Sequence, residues 1–288
     1  MSIWSVAFGD QATSIEATGP RAEELVELAC RHLDRCAVPA EVSLRVDARG
    51  VDAGVFELTS KAGRLLATKS PGELVDRLVF ELTFRLVDKS RGGAHVHGAL
   101  VVRDGRGILV PGESGVGKST LTAELVRRGW LHATDELAYV PAGTFDASGF
   151  ARPIHLKPGS RALGDALGLE DGLHCIRSEI GDFVHPEAFG GARHRGAVVV
   201  VAIAFVRWAP NGDESVLRAT PPSATFGLRQ ALMNARNLPA AGVTEAARLA
   251  RAIPAVNVTY RSFDFAARAL DELLTTRQRS AEAEIRVP

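Results

Sequence analysis

The stretch GILVPGESGVGKST, residues 107–120, decides the fold class of this chain. From Gly112 to Ser119 it fits the pattern G-x-x-x-x-G-K-[ST] without a mismatch. In such a loop the glycines let backbone N–H groups turn inward around phosphate oxygens, and the following helix adds the partial positive charge of its N-terminus. The stretch therefore predicts a nucleotide phosphate site between a strand and a helix.

The sequence on both sides of the loop supplies the strand and the helix that such a site requires. Upstream, apolar strands over 100–102 and 107–110 are joined by a turn at Asp104-Gly105, a dipeptide typical of tight hairpins. Downstream, apolar residues recur at helical spacing over 118–128. This order of strand, loop and helix is the context in which the pattern binds phosphate.

The chain divides into two predicted regions, 1–88 and 89–288. The first is interpreted as an N-terminal α+β module that recognises a substrate or partner, and the second as a nucleotide-binding catalytic domain in which strands and helices alternate. In the first region the patterns predict helices over 20–33 and 70–87 and strands over 42–46, 55–58 and 64–67. After the loop helix they predict strands over 131–140, 197–207 and 256–260 and helices over 222–236, 243–252 and 263–277. The sequence predicts an irregular segment over 141–194 and a frayed tail over 278–288.

Composition narrows the class of partner. The 288 residues carry 34 Lys plus Arg and 34 Asp plus Glu, so no overall basic surface favours nucleic-acid binding. No apolar run reaches about 18 residues, so we expect no membrane span. The three cysteines, Cys30, Cys36 and Cys175, lack paired spacing and are typical of the cytoplasm. The histidines show no metal-ligand spacing, and we expect no zinc site.

The residues predicted to bind the nucleotide belong first to the loop itself. They are Gly112, Glu113, Ser114, Gly115, Val116, Gly117, Lys118, Ser119 and Thr120. Lys118 is expected to reach the β- and γ-phosphates, and the Ser119 hydroxyl to ligate Mg²⁺. The expected ligands are therefore ATP and Mg²⁺.

An acidic pair, Asp135-Glu136, ends the apolar run that follows the loop helix. Beside a triphosphate, one carboxylate can hold Mg²⁺ while the other accepts the proton of an incoming hydroxyl group. The alternative is a solvated strand end, where acidic pairs are common.

Three further residues are candidates that the local pattern leaves open. Lys157 lies between two prolines and Arg193 precedes the valine-rich strand, so either side chain could meet a phosphate or could simply be a surface charge. His97 precedes the strand that begins at Gly98, where a lone histidine more often has a structural role.

Together these residues resemble the catalytic domain of bacterial HPr kinase/phosphorylase, in particular the looser group of HPr kinase-related proteins. The resemblance is carried by HGALV at 97–101, GILVPGESGVGKS at 107–119, ELVRRG at 124–129 and DE at 135–136. It implies an α/β fold of the HPr kinase catalytic-domain type, which is similar to phosphoenolpyruvate carboxykinase and differs from common P-loop NTPases. It also implies a catalytic role for His97 and Lys118, a proton-accepting role for Asp135, and a metal-holding role for Glu136 with Ser119.

The chain departs from the family pattern in a few places. Thr120 and Glu136 stand where the family has glutamate and a second aspartate, and the chain has no Glu-x-Arg-Gly-x-Gly segment, which the family uses to engage its partner.

From the loop, the acidic pair and the resemblance we predict a kinase that transfers the γ-phosphoryl group of ATP to serine or threonine of a protein or precursor peptide. The alternatives are a kinase for a small hydroxyl compound such as free serine, and a nucleotide-binding regulatory protein with little catalysis. The sequence leaves the formation of a homo-oligomer open.

Overall fold

The computed structural model describes residues 1–36, 41–49 and 54–284. The strands are β1 (Ser2–Phe8), β2 (Gln11–Thr18), β3 (Asp34–Arg35), β4 (Val42–Arg49), β5 (Val55–Ser60), β6 (Gly63–Thr68), β7 (Gly93–Arg103), β8 (Arg106–Pro111), β9 (Leu131–Thr134), β10 (Leu137–Pro141), β11 (Asp146–Gly149), β12 (Ile154–Leu156), β13 (Cys175–Ser178), β14 (Gly181–Val184), β15 (Ala192–Arg193), β16 (Val198–Trp208), β17 (Ser215–Arg218) and β18 (Ala255–Tyr260). The α-helices are α1 (Pro20–Cys30), α2 (Pro71–Val87), α3 (Lys118–Arg127), α4 (Arg161–Ala166), α5 (Pro221–Ala231), α6 (Val243–Ala252) and α7 (Phe263–Glu284). Short 3₁₀ helices cover Pro158–Ser160, Pro186–Phe189, Ala235–Asn237 and Pro239–Gly242.

The chain forms two compact units, each made from two separate stretches of sequence. The first unit is Met1–Gly92 with Ala151–Gly190, and the second is Gly93–Phe150 with the chain from Gly191 onward. The predicted division into 1–88 and 89–288 is therefore wrong in one respect, because residues 151–190 belong with the N-terminal unit.

The first unit is built on a six-stranded sheet in the order β3-β1-β2-β4-β5-β6. The β1–β2 hairpin, which the sequence pattern had not revealed, supplies half of its central strands, and β2 runs parallel to β4. Helices α1 and α2 pack on this sheet through their apolar faces. The fully buried residues there include Ile15, Leu25, Leu44, Leu58, Leu74, Leu78, Leu82 and Leu86.

The stretch 151–190 is folded, contrary to the prediction of an irregular segment. It forms a three-stranded sheet in the order β12-β14-β13, and Phe183 and Val184 of β14 are fully buried. A methyl group built on Gly72 in the first turn of α2 would lie 2.2 Å from the Ser178 hydroxyl oxygen of β13. The strands have only three or four residues each, which is too short to show a period in the sequence.

The second unit holds the predicted α/β arrangement. Its sheet has the order β15-β9-β7-β10-β11-β16-β18-β17, and β8 pairs with both β7 and β16. Alternate residues of β7 enter different cores: Leu100 and Val102 pack with α5 and α6, whereas Ala99 and Val101 pack with α3 and α7. Because successive strand residues point to opposite faces, helices cover both faces of the sheet.

The hairpin from β7 to β8 confirms the predicted turn. Asp104 and Gly105 both have positive φ, 51° and 70°, and the flanking residues Arg103 and Arg106 pair with each other. A two-residue turn with both central φ angles positive matches the twist of the strands that it joins.

Three predicted elements of this unit differ from the structure. Helix α5 ends at Ala231, where Leu232 turns to an extended conformation, so the predicted helix over 222–236 is too long. Helix α7 continues through Glu284 where a frayed tail was expected, and residues 285–288 of that tail lie outside the described residues. The predicted strand over 131–140 is two strands, β9 and β10, with a break at Asp135-Glu136.

Within the described part of the chain, no helix combines the length and the apolar character that a bilayer span requires.

Candidate functional site

The predicted phosphate loop lies between the end of β8 and the start of α3. Gly115 and Gly117 have φ of 94° and 98°, values that L side chains rarely adopt, and α3 begins at Lys118. The Lys118 ammonium donates to the carbonyl oxygens of Gly112 and Glu113 at 2.7 and 2.8 Å, and the side chain is only 5% exposed. The loop therefore holds a buried positive charge at the N-terminus of a helix, as an anion site requires.

The acidic pair follows a break in the strand, and one threonine explains that break. The Thr134 hydroxyl accepts from the backbone N–H groups of Glu136 and Leu137 at 3.1 and 3.2 Å. It also donates to the carbonyl oxygen of Phe150 at 2.9 Å. Such side-chain bonds compete with the strand ladder and turn the backbone. The two carboxylates therefore sit in a turn rather than on a regular strand.

Asp135 reaches the loop directly. The Ser119 hydroxyl donates to Asp135 Oδ2 at 2.6 Å, and the Asp135 side chain is fully buried. Two residues that are 16 positions apart in the sequence thus bring hydroxyl and carboxylate oxygens together at the start of α3. This contact rules out the solvated strand end as a description of Asp135.

Glu136 contacts His97, which is also a predicted catalytic residue. Its Oε1 lies 3.5 Å from His97 Nε2, and both side chains are partly exposed, at 33% and 22%. His97 is in β7, opposite Leu137 of β10. The structure therefore brings His97, Lys118, Ser119, Asp135 and Glu136 to one edge of the second unit's sheet.

Gly98 is a site residue that the sequence analysis missed. Its N–H donates to the Glu136 carbonyl at 2.9 Å, and next to it the His97 carbonyl accepts from the Gly112 N–H at 3.2 Å. A methyl group built on Gly98 would lie 2.6 Å from the Val110 carbonyl oxygen, so only glycine fits here. Two adjacent residues of β7 thus tie the acidic turn on one side to the phosphate loop on the other. The signal available in the sequence was the glycine inside a strand, which often marks a close backbone approach.

A β-bulge precedes the acidic turn. Val101 of β7 pairs with His132, and its neighbour Leu100 pairs with Thr134, so Ala133 has no opposite residue in this ladder. Bulges of this kind bend a strand and re-aim the side chains that follow it. The bulge is thus a further local cause of the position of Asp135.

The remaining two predicted binding residues are on different units. Lys157 is exposed and belongs to the first unit, immediately before the 3₁₀ helix Pro158–Ser160. Arg193 belongs to the second unit, in β15, where it pairs with His132 of the parallel strand β9. Arg193 therefore lies on the strand next to the one that leads into Asp135.

The donor set at the loop fits a magnesium ion. Ser119 offers a hydroxyl oxygen, and Asp135 and Glu136 offer carboxylate oxygens, which are the hard ligands that Mg²⁺ prefers.

A second cluster of possible metal ligands, in the first unit, was not expected: His32, His185 and Glu187 bring their ligand atoms within 4.8 Å of one another. There an ion pair of 3.2 Å between His32 Nε2 and Glu187 Oε1 accounts for part of the clustering.

A buried tyrosine lies against the loop. A methyl group built on Gly117 would be 2.9 Å from the Tyr260 hydroxyl oxygen and 3.5 Å from Trp208 Cβ. Burial raises the pKa of the Tyr260 phenol above its usual range, so the hydroxyl stays protonated at all ordinary pH values. No pattern in the sequence indicates that Tyr260 or Trp208 lies at the site.

The fold and the loop define the class: an α/β protein with a P-loop, a strand-to-helix phosphate site that carries a lysine and a serine at the helix start. Comparison with known proteins shows a likeness over part of the chain. The chain is 43% identical over 60 residues to HPr kinase/phosphorylase of Clostridium botulinum (strain Eklund 17B / Type B), covering 21% of this chain and 20% of that protein. It is 35% identical over 96 residues to putative HPr kinase/phosphorylase of Fusobacterium nucleatum, covering 33% of this chain and 15% of that protein. The predicted resemblance is confirmed: over these stretches the chain is similar to proteins named HPr kinase/phosphorylase.

The extent of these matches is limited. The chain matches about a fifth of the length of the first curated relatives, 20% in the Clostridium botulinum protein. A solved structure of the HPr(Ser) kinase/phosphatase from Coxiella burnetii aligns with 65% of this chain and 98% of that chain, with 13% identity and a TM-score of 0.33. No protein-family model matches the chain.

Proposed function

We propose that this protein is a kinase that uses ATP and Mg²⁺ to phosphorylate a hydroxyl group. The observation that carries the proposal is the hydrogen bond of 2.6 Å from the Ser119 hydroxyl to Asp135 Oδ2. It joins a phosphate loop to a carboxylate, and a phosphate loop that serves only to bind nucleotide needs no proton acceptor. The names of the relatives, HPr kinase/phosphorylase, support the same chemistry.

The chain's own residues divide the work of phosphoryl transfer. The N–H groups of the loop and the start of α3 bind the phosphates, and Lys118 moves its donated hydrogen bonds from the loop carbonyls to phosphate oxygens. Mg²⁺, when bound, neutralises charge that develops on the transferred group. Ser119 and Glu136 would hold it, with His97 orienting the Glu136 carboxylate.

Asp135 is assigned the role of proton acceptor. In the structure its Oδ2 already accepts a hydroxyl hydrogen, that of Ser119, which is the same kind of contact that a substrate hydroxyl would make. The observed contacts also favour a second assignment, in which Asp135 holds the metal with Ser119, and the more exposed Glu136 accepts the proton. The two assignments predict opposite effects for the variants Asp135→Asn and Glu136→Gln.

We also propose that the second unit has the arrangement of an HPr kinase catalytic domain, similar to phosphoenolpyruvate carboxykinase. What supports this is the antiparallel strand β7 between β8, which leads into the loop, and β9, which leads into Asp135. The predicted roles of Lys157 and Arg193 as phosphate ligands stay proposals, and Arg193 has the nearer support because β15 pairs with β9.

The acceptor is proposed to be serine or threonine of a protein or precursor peptide, and the first unit is proposed to recognise it. That unit contains a cavity of about 500 Å³. Leu25, Leu28 and Ile176 supply apolar lining, and Arg21 and Glu24 supply charges. Apolar lining with a few charged groups is the usual composition of a ligand-binding cleft.

The test is a transfer assay with ATP labelled in the γ-phosphoryl group. The purified protein is offered HPr, a set of Ser/Thr peptides and free serine, each with and without Mg²⁺. We expect label on a protein or peptide hydroxyl only with Mg²⁺, and no transfer by Lys118→Ala. Nucleotide binding without transfer to any acceptor would instead favour the regulatory protein, and transfer to free serine alone the small-molecule kinase.

A further inference from the structure

A cluster of aromatic rings stands at the same edge of the second unit's sheet as the phosphate loop. We call Trp208, Tyr260 and Phe263 the aromatic platform. The Trp208 and Phe263 rings are stacked, with centroids 5.7 Å apart and planes at 19°, and Trp208 meets the edge of Tyr260 at 5.3 Å. Tyr260 is 1% exposed, whereas Trp208 is 42% exposed. Most of the cluster is therefore packed, but one large aromatic side chain faces solvent.

The topology places this platform across the loop from the acidic pair. β16 runs parallel to both β8 and β18, so Trp208 and Tyr260, the last residues of β16 and β18, lie at the same edge as the end of β8. Along that edge the strand order is β9, β7, β8, β16, β18. The carboxylates follow β9 on one side of the loop, and the platform ends the two strands on the other side.

The platform touches the loop itself. Gly117, the residue immediately before Lys118, packs against the platform. A methyl group built on Gly117 would clash with the Tyr260 hydroxyl and contact Trp208 Cβ. A nucleotide whose terminal phosphates point to Asp135 can therefore place its other end on the side of the loop where Trp208 lies. Glycine at 117 is needed both for its φ of 98° and for this close approach.

The platform is held in place by backbone and carboxylate hydrogen bonds. The Ala209 N–H donates to the Tyr260 carbonyl at 2.8 Å, which ties the ends of the two strands together. Glu214 Oε1 accepts from the N–H groups of Arg261 and Ser262 at 3.2 and 2.8 Å and from the Ser262 hydroxyl at 2.8 Å. These contacts fix the turn between Tyr260 and Phe263, so the stacked rings are preorganised.

We propose that the base of the bound purine nucleoside triphosphate stacks on Trp208 of this platform, which makes Trp208 a determinant of nucleotide affinity. The inference rests on the proposed function, because it takes the phosphates to lie in the loop. Stacking on an aromatic face depends little on which base is presented. The platform therefore supplies affinity for the base without hydrogen-bond selection, and ATP and GTP should bind with similar strength.

The experiment compares ATP with inorganic triphosphate, a ligand that has the phosphates but no base. Calorimetry with Mg²⁺ is carried out on the wild type, Trp208→Ala, Trp208→Phe and the matched control Phe226→Ala. Phe226 is 66% exposed on α5, and the apolar residues of α5 pack on the sheet face opposite to α3. We expect Trp208→Ala to weaken ATP binding by about tenfold, the scale of a lost base–aromatic contact. Triphosphate binding should be unchanged, and Trp208→Phe should retain most of the ATP affinity.

The outcomes separate this inference from the function on which it rests. If the wild type binds neither ligand, the nucleotide function itself fails. If triphosphate binds all variants equally and Trp208→Ala binds ATP as tightly as the wild type does, the platform is overturned while the phosphate site stands. Equal losses for ATP and triphosphate in Trp208→Ala would also overturn it, since the residue would then support the loop and not the base.

Discussion

The two sides of the phosphate loop are built from different chemistry. On one side, Ser119, Asp135, Glu136 and His97 form a polar set linked by contacts of 2.6 and 3.5 Å. On the other side, Trp208, Tyr260 and Phe263 form a set of packed rings. Both sets are anchored to backbone groups close to the loop, so the loop is the reference point that they share.

This difference suggests a division of labour along one edge of the sheet. Polar groups that contact the reacting atoms stabilise mainly the transition state, so they change turnover. A flat apolar surface that contacts the base stabilises the ground state and the transition state equally, so it changes affinity. Substitutions on the acidic side should therefore lower kcat with little change in ATP binding. Substitutions on the aromatic side should do the reverse.

The largest expected effect tests the acidic side. Asp135→Asn keeps the shape of the side chain but removes proton acceptance, so kcat should fall by about 10²-fold or more while ATP affinity stays close to that of the wild type. Glu136→Gln should instead raise the Mg²⁺ concentration required for half-maximal rate. Rate measurements over a Mg²⁺ titration check both, and the opposite pattern would exchange the roles of the two carboxylates.

A smaller loss of turnover is expected from a substitution at Gly98, which lies between the acidic turn and β8. In Gly98→Ala the new methyl group meets the Val110 carbonyl oxygen at 2.6 Å, so the strands must move apart. Overpacking of this kind costs about 1–3 kcal/mol of stability. We expect a lower urea midpoint together with a loss of turnover, because the acidic turn shifts relative to the loop. A variant with normal turnover would show that this spacing does not matter for catalysis.

On the aromatic side, a substitution at Glu214, which holds the platform in place, should lower ATP affinity less than a substitution at Trp208 itself. Glu214→Ala removes an acceptor of three hydrogen bonds at the start of α7, where a lost cap costs roughly 1 kcal/mol. ATP affinity should fall by at most about fivefold, with triphosphate binding unchanged, as measured by calorimetry. A larger effect on turnover than on affinity would contradict the proposed division.

The smallest effect on nucleotide binding is expected in the first unit. Asp10 accepts hydrogen bonds from the Ser90 hydroxyl and the Arg91 and Gly92 N–H groups. Although burial favours the neutral form, these bonds outweigh it and lower the pKa of Asp10 to about 2 from an ordinary value of 3.8. A lowered pKa stabilises the folded state above the unfolded value, and this contribution disappears as the pH falls toward the folded value.

Asp10→Asn should therefore reduce the urea midpoint at pH 7, and the difference from the wild type should shrink as the pH is lowered from about 4 toward 2. ATP binding at pH 7 should be unchanged, as a calorimetric titration would show. A constant difference in midpoint at all pH values would mean that charge is not the source of the stabilisation.

What the sequence predicted well are features that have a local cause. The loop glycines, Lys118 and Ser119 follow a fixed spacing, and the Asp104-Gly105 turn requires positive φ that these two residues tolerate. The nearness of Asp135 to the loop followed from a single connecting helix and from the family resemblance. None of these predictions needed knowledge of how distant segments pack.

The features that were missed depend on tertiary contacts. Trp208 ends a run of valines and gives no sign that it meets Gly117, because that contact arises only when β16 pairs with β8. The break at Asp135 depends on hydrogen bonds made by Thr134, one of them to Phe150. The stretch 151–190 folds by packing its short strands with the N-terminal unit, to which no sequence period points.

The single strand between the loop and the acidic turn also fixes a dimension. Neighbouring strands are about 4.8 Å apart, so β8 and β9, one on each side of β7, are separated by roughly 10 Å whatever side chains they carry. The backbone spacing between the phosphate loop and the acidic turn is thus set by main-chain geometry and changes only in steps of a whole strand. Evolution or engineering can then exchange the side chains that choose the acceptor without altering the backbone spacing between the phosphate loop and the acidic turn.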